Sequence, residues 1–380
     1  MNASTNPITN SPMGNSKTSS GILTIDLDEL ARNWRRLKSR LNRADCAAAI
    51  KADAYGLGAA RAIVALSKAG CNQFFVALID EGVQLRQALG DAALDADIHV
   101  LGGAMSAPQA LIDHRLTPVL NSLGDMEAWK KFSPQTPADI HIDTGMARLG
   151  LPPGEVDILT SEPERIDGLA ISHVISHLAC AEDRETSMNE QQLKQFRNAL
   201  NLFPGSKASL ANSSGIFLGD RYHFDLARPG AALYGVNPTP GKPNPMSQVV
   251  RLQGKILQVR DVAAPQSVGY GATHRIEQKC RIATVGVGYA DGYLRSLSSR
   301  ATGYLGDMPV PLVGRVSMDL ITFDVSDVPE ALAHPGALID LIGPNNPVDD
   351  VAGAASTIGY EILTSLGNRY HRIYKTDVTS

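Results

Sequence analysis

A lysine, two arginines, a histidine and an Asn-Ser pair recur at the same point of successive segments. Lys51 stands in IKADAYGLG, Arg148 in HIDTGMARLG, His177 in VISHLACAED, Asn212 and Ser213 in LANSSG, and Arg228 in FDLARPG. Each follows a short apolar run. If those runs are strands of one barrel, the residues converge on one mouth, because barrel chemistry sits where strands end and βα loops begin. A cavity so lined suits an anionic ligand with an aromatic or carbonyl part. Singly, each residue has a plainer reading. A lysine ending a strand is usually a solvated tip, Arg148 and Arg228 read as surface charges, His177 as a partner for loop backbone, and Asn-Ser as a turn or cap. Their shared position at one end of successive strands argues against all of these at once.

The elements that must position them follow from the pattern. Eight β-favouring runs, at 46–51, 73–78, 97–101, 117–121, 138–143, 169–176, 207–212 and 224–228, alternate with helix-like stretches. The clearest helices are expected at 59–69, 80–89, 125–132 and 187–202. This alternation predicts a (β/α)8 TIM barrel rather than an open doubly wound sheet, which would want fewer strands and a G-x-G-x-x-G after the first. Beyond about residue 245 the helical period fades, and runs at 255–259, 282–287, 310–316, 320–325 and 338–342 are punctuated by Gly and Pro. The expected organisation is a disordered polar tail at 1–20, a barrel domain at 21–245 and a mostly-β C-terminal domain at 246–380.

Composition sets further bounds. The chain has 380 residues, 43% hydrophobic and 19% charged, with a formal net charge of -4. That length suggests two domains, and the mildly acidic balance gives no reason to expect nucleic acid or an anionic membrane as partner. No apolar run is long enough to span a bilayer. The first twenty residues are Asn/Ser/Thr-rich without an apolar core, so they do not read as a signal peptide. Cys46, Cys71, Cys180 and Cys280 lack metal-type spacing and are expected to be reduced thiols in a cytoplasmic protein, with no metal site.

The motifs are more specific than their residue types. IKADAYGLG resembles the pyridoxal-phosphate attachment motif of the alanine racemase family. HIDTGMARLG, SHLACAED, ANSSG, LARPGAALYG, VGYGAT, VGVGYADGY, LVGRVSMDL and IGYEIL resemble that family's further blocks, in the same order, from about residue 21 to 374. The resemblance implies pyridoxal 5'-phosphate as cofactor, held covalently by Lys51, which also acts as one base. It implies Tyr270 as the opposing base. Tyr55, Ser213, Gly230 and Tyr360 would hold the phosphate, with Asn212 beside Ser213. Arg228 would face the pyridine nitrogen, His177 would pack on the ring, and Arg148 would reach the phenolic oxygen and the substrate carboxylate. Met318 would give that carboxylate a backbone donor, and Tyr289 and Asp319 would line the entrance. The family is a head-to-tail homodimer, so Tyr270, Tyr289 and Met318 would come from the partner chain. The implied activity is interconversion of L- and D-alanine, supplying D-alanine for the cell wall.

The residue types suit that chemistry. Racemisation takes the α-proton from one face and returns one to the other, so a base is needed on each side. An amine and a phenol, with ordinary pKa values near 10, become useful when desolvation and nearby guanidinium groups lower them. Arginine stays protonated, so at the pyridine nitrogen it donates a hydrogen bond and leaves that nitrogen without a proton. The resulting weaker electron sink restrains transamination and decarboxylation. Alternatives are a racemase of serine, lysine or broader range, a decarboxylase of the same barrel class, and a small non-catalytic pyridoxal-phosphate carrier. GRVSMD stands where the decarboxylase would carry cysteine and acidic ligands, and the carrier would lack the C-terminal domain with Tyr270.

One position departs from the family pattern. His141 stands where many relatives carry a lysine, often carbamylated, that holds the active-site arginine. Strand alternation puts His141 and Asp143 on one face. The expectation is that a neutral imidazole accepts a hydrogen bond from Arg148, with help from water or an anion; the alternative is a packed residue without that contact.

Overall fold

The computed structural model describes residues 18–90 and 95–376. The chain divides into two compact units, Leu27–Val249 and the segment through Asp26 together with Val250–Lys375.

The strand that opens the described chain, β1 (Gly21–Asp26), belongs to the second unit, whereas the sequence pattern starts the barrel domain at Gly21. It pairs antiparallel with β11 (Val250–Val262) and parallel with the last strand. The expected disordered tail lies largely outside the described residues. Its end at 18–20 is anchored: Ser19 is buried, and the Lys255 amide donates to the Ser20 carbonyl at 2.7 Å.

The first unit is the barrel. After helix Leu27–Lys38 come β2 (Asp45–Cys46) and β3 (Ala48–Ala49), then β4 (Gln73–Val76), β5 (Asp97–Val100), β6 (Thr117–Leu120), β7 (Ala138–His141), β8 (Ile171–Ile175), β9 (Lys207–Ser209) and β10 (Leu226–Ala227). β3 to β9 form one parallel sheet in sequence order. β10 closes it: the Asp225 amide bonds the Ala208 carbonyl on one side, and the Ala47 amide bonds the Ala227 carbonyl on the other. Among the described residues, β2 and β3 make one interrupted strand, so eight strand positions surround the core as the alternation predicts. Phe74, Val76, Ile98, Val100, Val119, Ile140 and Val174 are fully buried, as strands covered on both faces require. The intervening helices include Ala59–Lys68, Ile79–Leu89, Leu123–Phe132 and Ser187–Leu200, close to the expected ranges.

The second unit is mostly β. Its main sheet runs β16 (Met308–Pro311), β15 (Thr302–Leu305), β18 (Leu338–Ile342), β11, β1, β19 (His371–Lys375), and β14 (Cys280–Val285) joins β11 to β17 (Ile321–Asp324). A short hairpin pairs β12 (Ser267–Val268) with β13 (His274–Arg275). Two helices, Val348–Ala355 and Gly359–Ser365, were not evident from the Gly- and Pro-punctuated pattern. Among the described residues no helix is long and apolar enough to cross a membrane, and all four cysteines are free thiols.

Candidate active site

In the barrel unit, Lys51 follows β3 after one intervening residue, Ile50. The next four residues, Ala52 to Tyr55, all lie at φ between 52 and 56°. A left-handed turn of non-glycine residues costs roughly 1–2 kcal/mol per residue, so tertiary bonds must hold it. The Glu81 carboxylate does so, accepting from the Ala52 amide at 2.6 Å while its other oxygen accepts from Ala77 and Leu78. Asp53 accepts from the Ala59 amide at 2.7 Å and fixes the exit. Glu81 was missed in the sequence; its signal is its place at the third position of a helix that follows a strand.

The turn carries Lys51 at its start and Tyr55 at its end. The Lys51 amine is half-buried, and burial followed by the Arg148 charge lowers its pKa, against Glu81. Tyr55 is buried against Tyr234 with ring centroids 4.7 Å apart. Its hydroxyl fills the place a side chain would take on Gly230: a Cβ there would lie 2.3 Å from it. Ser213, also buried, accepts from the Gly230 and Ala232 amides at 3.0 and 3.2 Å. Asn212 caps the adjoining turn, accepting from Gly215 at 2.9 Å. Tyr55, Ser213 and Gly230 thus form one small cradle, and Asn212 shapes its rim. Tyr234, whose hydroxyl donates to the Ala49 carbonyl at 3.1 Å, completes the wall and was not singled out in LARPGAALYG.

Arg228 is nearly fully buried and donates to Ser209 Oγ and the Ser176 carbonyl. Burial pushes its pKa down to about 10, and Asp139 opposes that shift. His177 is held well below its ordinary pKa by burial, then by Arg228, Arg148 and Lys51, so it is a neutral ring at pH 7. Arg148 is exposed on a turn built by Asp143, whose carboxylate accepts from Gly145, Met146 and Ala147 at 2.9–3.2 Å. Among the described residues none of Lys51, Arg148, His177 and Arg228 has a carboxylate within ion-pair distance. A mouth with this charge pattern suits an anion, and its lysine is partly desolvated.

His141 differs from expectation. Its Nδ1 lies 2.8 Å from Asn121 Oδ1, and no hydrogen bond joins it to Arg148. Burial, then Arg228, lowers its pKa to about 4. The loop carrying Arg148 takes a left-handed step at Ala147 (φ 54°), and Arg148 itself is exposed. One further polar group went unseen in the sequence: His99, Asp139 and His173, from β5, β7 and β8, meet in the barrel interior.

In the second unit, Tyr270 is 73% exposed on a turn between Gly269 and Gly271, both at positive φ. It lines a groove of about 590 Å³ with Arg315, Ser317 and Leu320. Gly288 lets two loops touch, since a Cβ there would lie 2.3 Å from the Met318 carbonyl. The Tyr289 amide donates to Ser317 at 3.0 Å and the Ala290 amide to Met318 at 3.0 Å. Asp319 accepts from Arg369 at 2.8 Å. Tyr270, Tyr289, Met318 and Asp319 are therefore gathered around the 315–319 loop, with three of them exposed apolar side chains. Tyr360 lies in the first turn of helix Gly359–Ser365.

A parallel barrel with a partly desolvated lysine and, among the described residues, arginines without carboxylate partners near its strand ends, joined in one chain to a β domain that presents an exposed tyrosine, defines a class of two-domain barrel proteins. Comparison with known proteins makes that class definite. The alanine racemase N-terminal domain model matches residues 25–238, and the alanine racemase C-terminal domain model matches residues 249–374. The chain is 52% identical over 368 residues to an alanine racemase of Rhodospirillum rubrum, covering 95% of this chain and 98% of that one. It is 48% identical over 359 residues to a catabolic alanine racemase of Mesorhizobium japonicum, covering 93% of each. Its fold matches the crystal structure of an alanine racemase from Bartonella henselae with covalently bound pyridoxal phosphate, at TM-score 0.89 and 40% identity, covering 94% of this chain and 100% of that one. The chain belongs to the alanine racemase family.

Proposed function

We propose that this protein interconverts L- and D-alanine with pyridoxal 5'-phosphate held on Lys51, in the cytoplasm, supplying D-alanine for the cell wall. The observation that carries the reading is the partly desolvated Lys51 in a mouth whose cations, Arg148 and Arg228, have no carboxylate within ion-pair distance among the described residues. The residues present fit the cofactor. The Tyr55–Ser213–Gly230 cradle is small, polar and closed to a Cβ, as close approach of a phosphate needs. Tyr360 would add a phosphate contact, with Asn212 holding the adjoining turn. Arg228 would donate to the pyridine nitrogen, and the neutral His177 ring would pack against the aromatic face.

When bound, the cofactor withdraws electrons from the substrate's α-carbon. The chain's own residues do the rest. Arg148 and the Met318 amide orient the substrate carboxylate. Lys51, as a neutral amine, takes the α-proton of the D form, and the Tyr270 phenol gives one to the opposite face; for the L form the roles reverse. Tyr289 and Asp319 narrow the entrance. Tyr270, Tyr289 and Met318 come from a second copy of the chain in a head-to-tail homodimer. The groove and exposed side chains around the 315–319 loop support that reading, as a surface awaiting a partner. Assaying purified protein against a panel of L- and D-amino acids tests the reading. Racemisation of alanine well above serine and lysine is expected, and racemisation of those two at the rate of alanine would replace it with a broad-range activity.

A further inference from the structure

The second unit carries a bridge of charges that no step of the reaction uses. Asp291 closes the short turn that begins at Tyr289, and it is buried. Its Oδ2 accepts from the Gly288 amide at 2.8 Å, and its backbone carbonyl accepts from the Gly367 amide at 2.9 Å. Gly292, the next residue, has no room for a side chain, since a Cβ there would overlap the Ser365 carbonyl. The turn is thus seated on segment 365–369. From that segment Arg369 reaches two carboxylates. Its Nε lies 3.0 Å from Asp291 Oδ1, and its Nη1 donates to Asp319 Oδ1 at 2.8 Å.

Exposed ion pairs contribute little by themselves. This bridge differs at its buried end. Burial raises the Asp291 pKa, and the Gly288 amide and then Arg369 act against that shift. Asp291 anchors the guanidinium, whose planar fork holds the second carboxylate at a set distance from the first. What is held is the loop that follows Ser317. The Tyr289 amide donates to the Ser317 carbonyl and the Ala290 amide to the Met318 carbonyl, at 3.0 Å each. Across a trans peptide the carbonyl and the N–H point in opposite directions. The Ser317 carbonyl faces the Tyr289 turn, so the Met318 amide faces away from it. Among the described residues that amide has no hydrogen-bond acceptor.

We propose that Arg369 is a positioning residue for the substrate carboxylate: by tying Asp319 to Asp291 it holds the Met318 amide at its angle. The proposal rests on the reading above that this amide meets the carboxylate. Without Arg369 the loop keeps its bonds to Tyr289 and Ala290, but the Asp319 end loses its tether. A contact loosened equally in the ground state and the transition state raises KM and spares kcat.

The test compares Arg369→Gln with the wild type in the full-length protein loaded with pyridoxal phosphate. Two halves of alanine serve as probes. Propionate has the carboxylate and no amine, and ethylamine has the amine and no carboxylate. Calorimetric titration of Arg369→Gln is expected to show propionate binding about tenfold weaker, and ethylamine binding within about twofold of the wild type. KM for L- and D-alanine should rise about tenfold, with kcat within about threefold. Equal weakening of both probes, or unchanged propionate binding, would overturn the proposal. Should Arg369→Gln not fold, Asp319→Ala cuts the exposed end of the bridge and leaves Asp291 paired, and the same comparison of probes decides. A wild type that binds propionate but does not racemise alanine would instead fault the proposed function, and the probes would still decide on Arg369. A wild type that binds ethylamine and no propionate would fault the Met318 reading and overturn the proposal with it.

Discussion

His141 Nδ1 lies 2.8 Å from Asn121 Oδ1, and the Asn121 amide donates to the Leu101 and Val119 carbonyls at 3.0 Å each. Those two carbonyls fix which end of the amide is oxygen. His141 must therefore carry its hydrogen on Nδ1 and present a bare Nε2.

This arrangement has a pH signature. Burial holds the His141 imidazole at about 4, below the 6.5 of a free side chain. Between those values the unfolded chain binds more protons than the native one, so stability falls as pH drops through this window. The loss is on the order of 2–3 kcal/mol once pH is below about 4. In His141→Gln the fall in Tm between pH 6.5 and pH 4 should be shallower than in the wild type, the remainder belonging to groups such as His177. An identical slope in the two proteins would show that His141 titrates normally.

Gly230→Ala tests the cradle. The added Cβ would meet the Tyr55 hydroxyl at 2.3 Å and its ring carbon at 3.1 Å. The expected outcome is a stability loss of about 1–3 kcal/mol and weaker binding of pyridoxal phosphate. Full cofactor affinity with unchanged Tm would place the phosphate elsewhere.

Tyr270→Phe tests the two faces separately. Exchange of the α-proton of L-alanine with solvent deuterium should slow by at least about a hundredfold, the usual worth of a positioned acid–base group. Exchange from D-alanine, left to Lys51, should suffer less. Unchanged exchange for both enantiomers would remove Tyr270 from the reaction.

Mixing the two inactive homodimers, Lys51→Ala and Tyr270→Phe, tests the shared site. With subunit exchange verified, each heterodimer should hold one intact site and activity should return. No recovery would favour a site built within one chain.

Much of the barrel is legible in the sequence because its strands are short, β-branched and buried on both faces, and because reactive residues end them. What was missed depends on pairing at long range. GILTID falls within the expected barrel domain at 21–245, yet it pairs with residues 250–254 and 371–375. Nothing in Ala-Asp-Ala-Tyr announces a left-handed turn; it exists because Glu81, 29 positions away, holds the Ala52 amide. The His99–Asp139–His173 cluster joins three strands with no local motif. The hydrogen-bond partner of His141 is Asn121, the residue after β6, and not a residue of the Arg148 loop.

The most direct test of the central claim is reduction of the holoprotein with borohydride, followed by peptide mapping. If Lys51 holds the cofactor, the reduced adduct appears on the peptide carrying IKADAYGLG, and Lys51→Ala shows neither adduct nor racemisation in either direction. An adduct on any other lysine, or racemisation that survives in Lys51→Ala, would contradict the account.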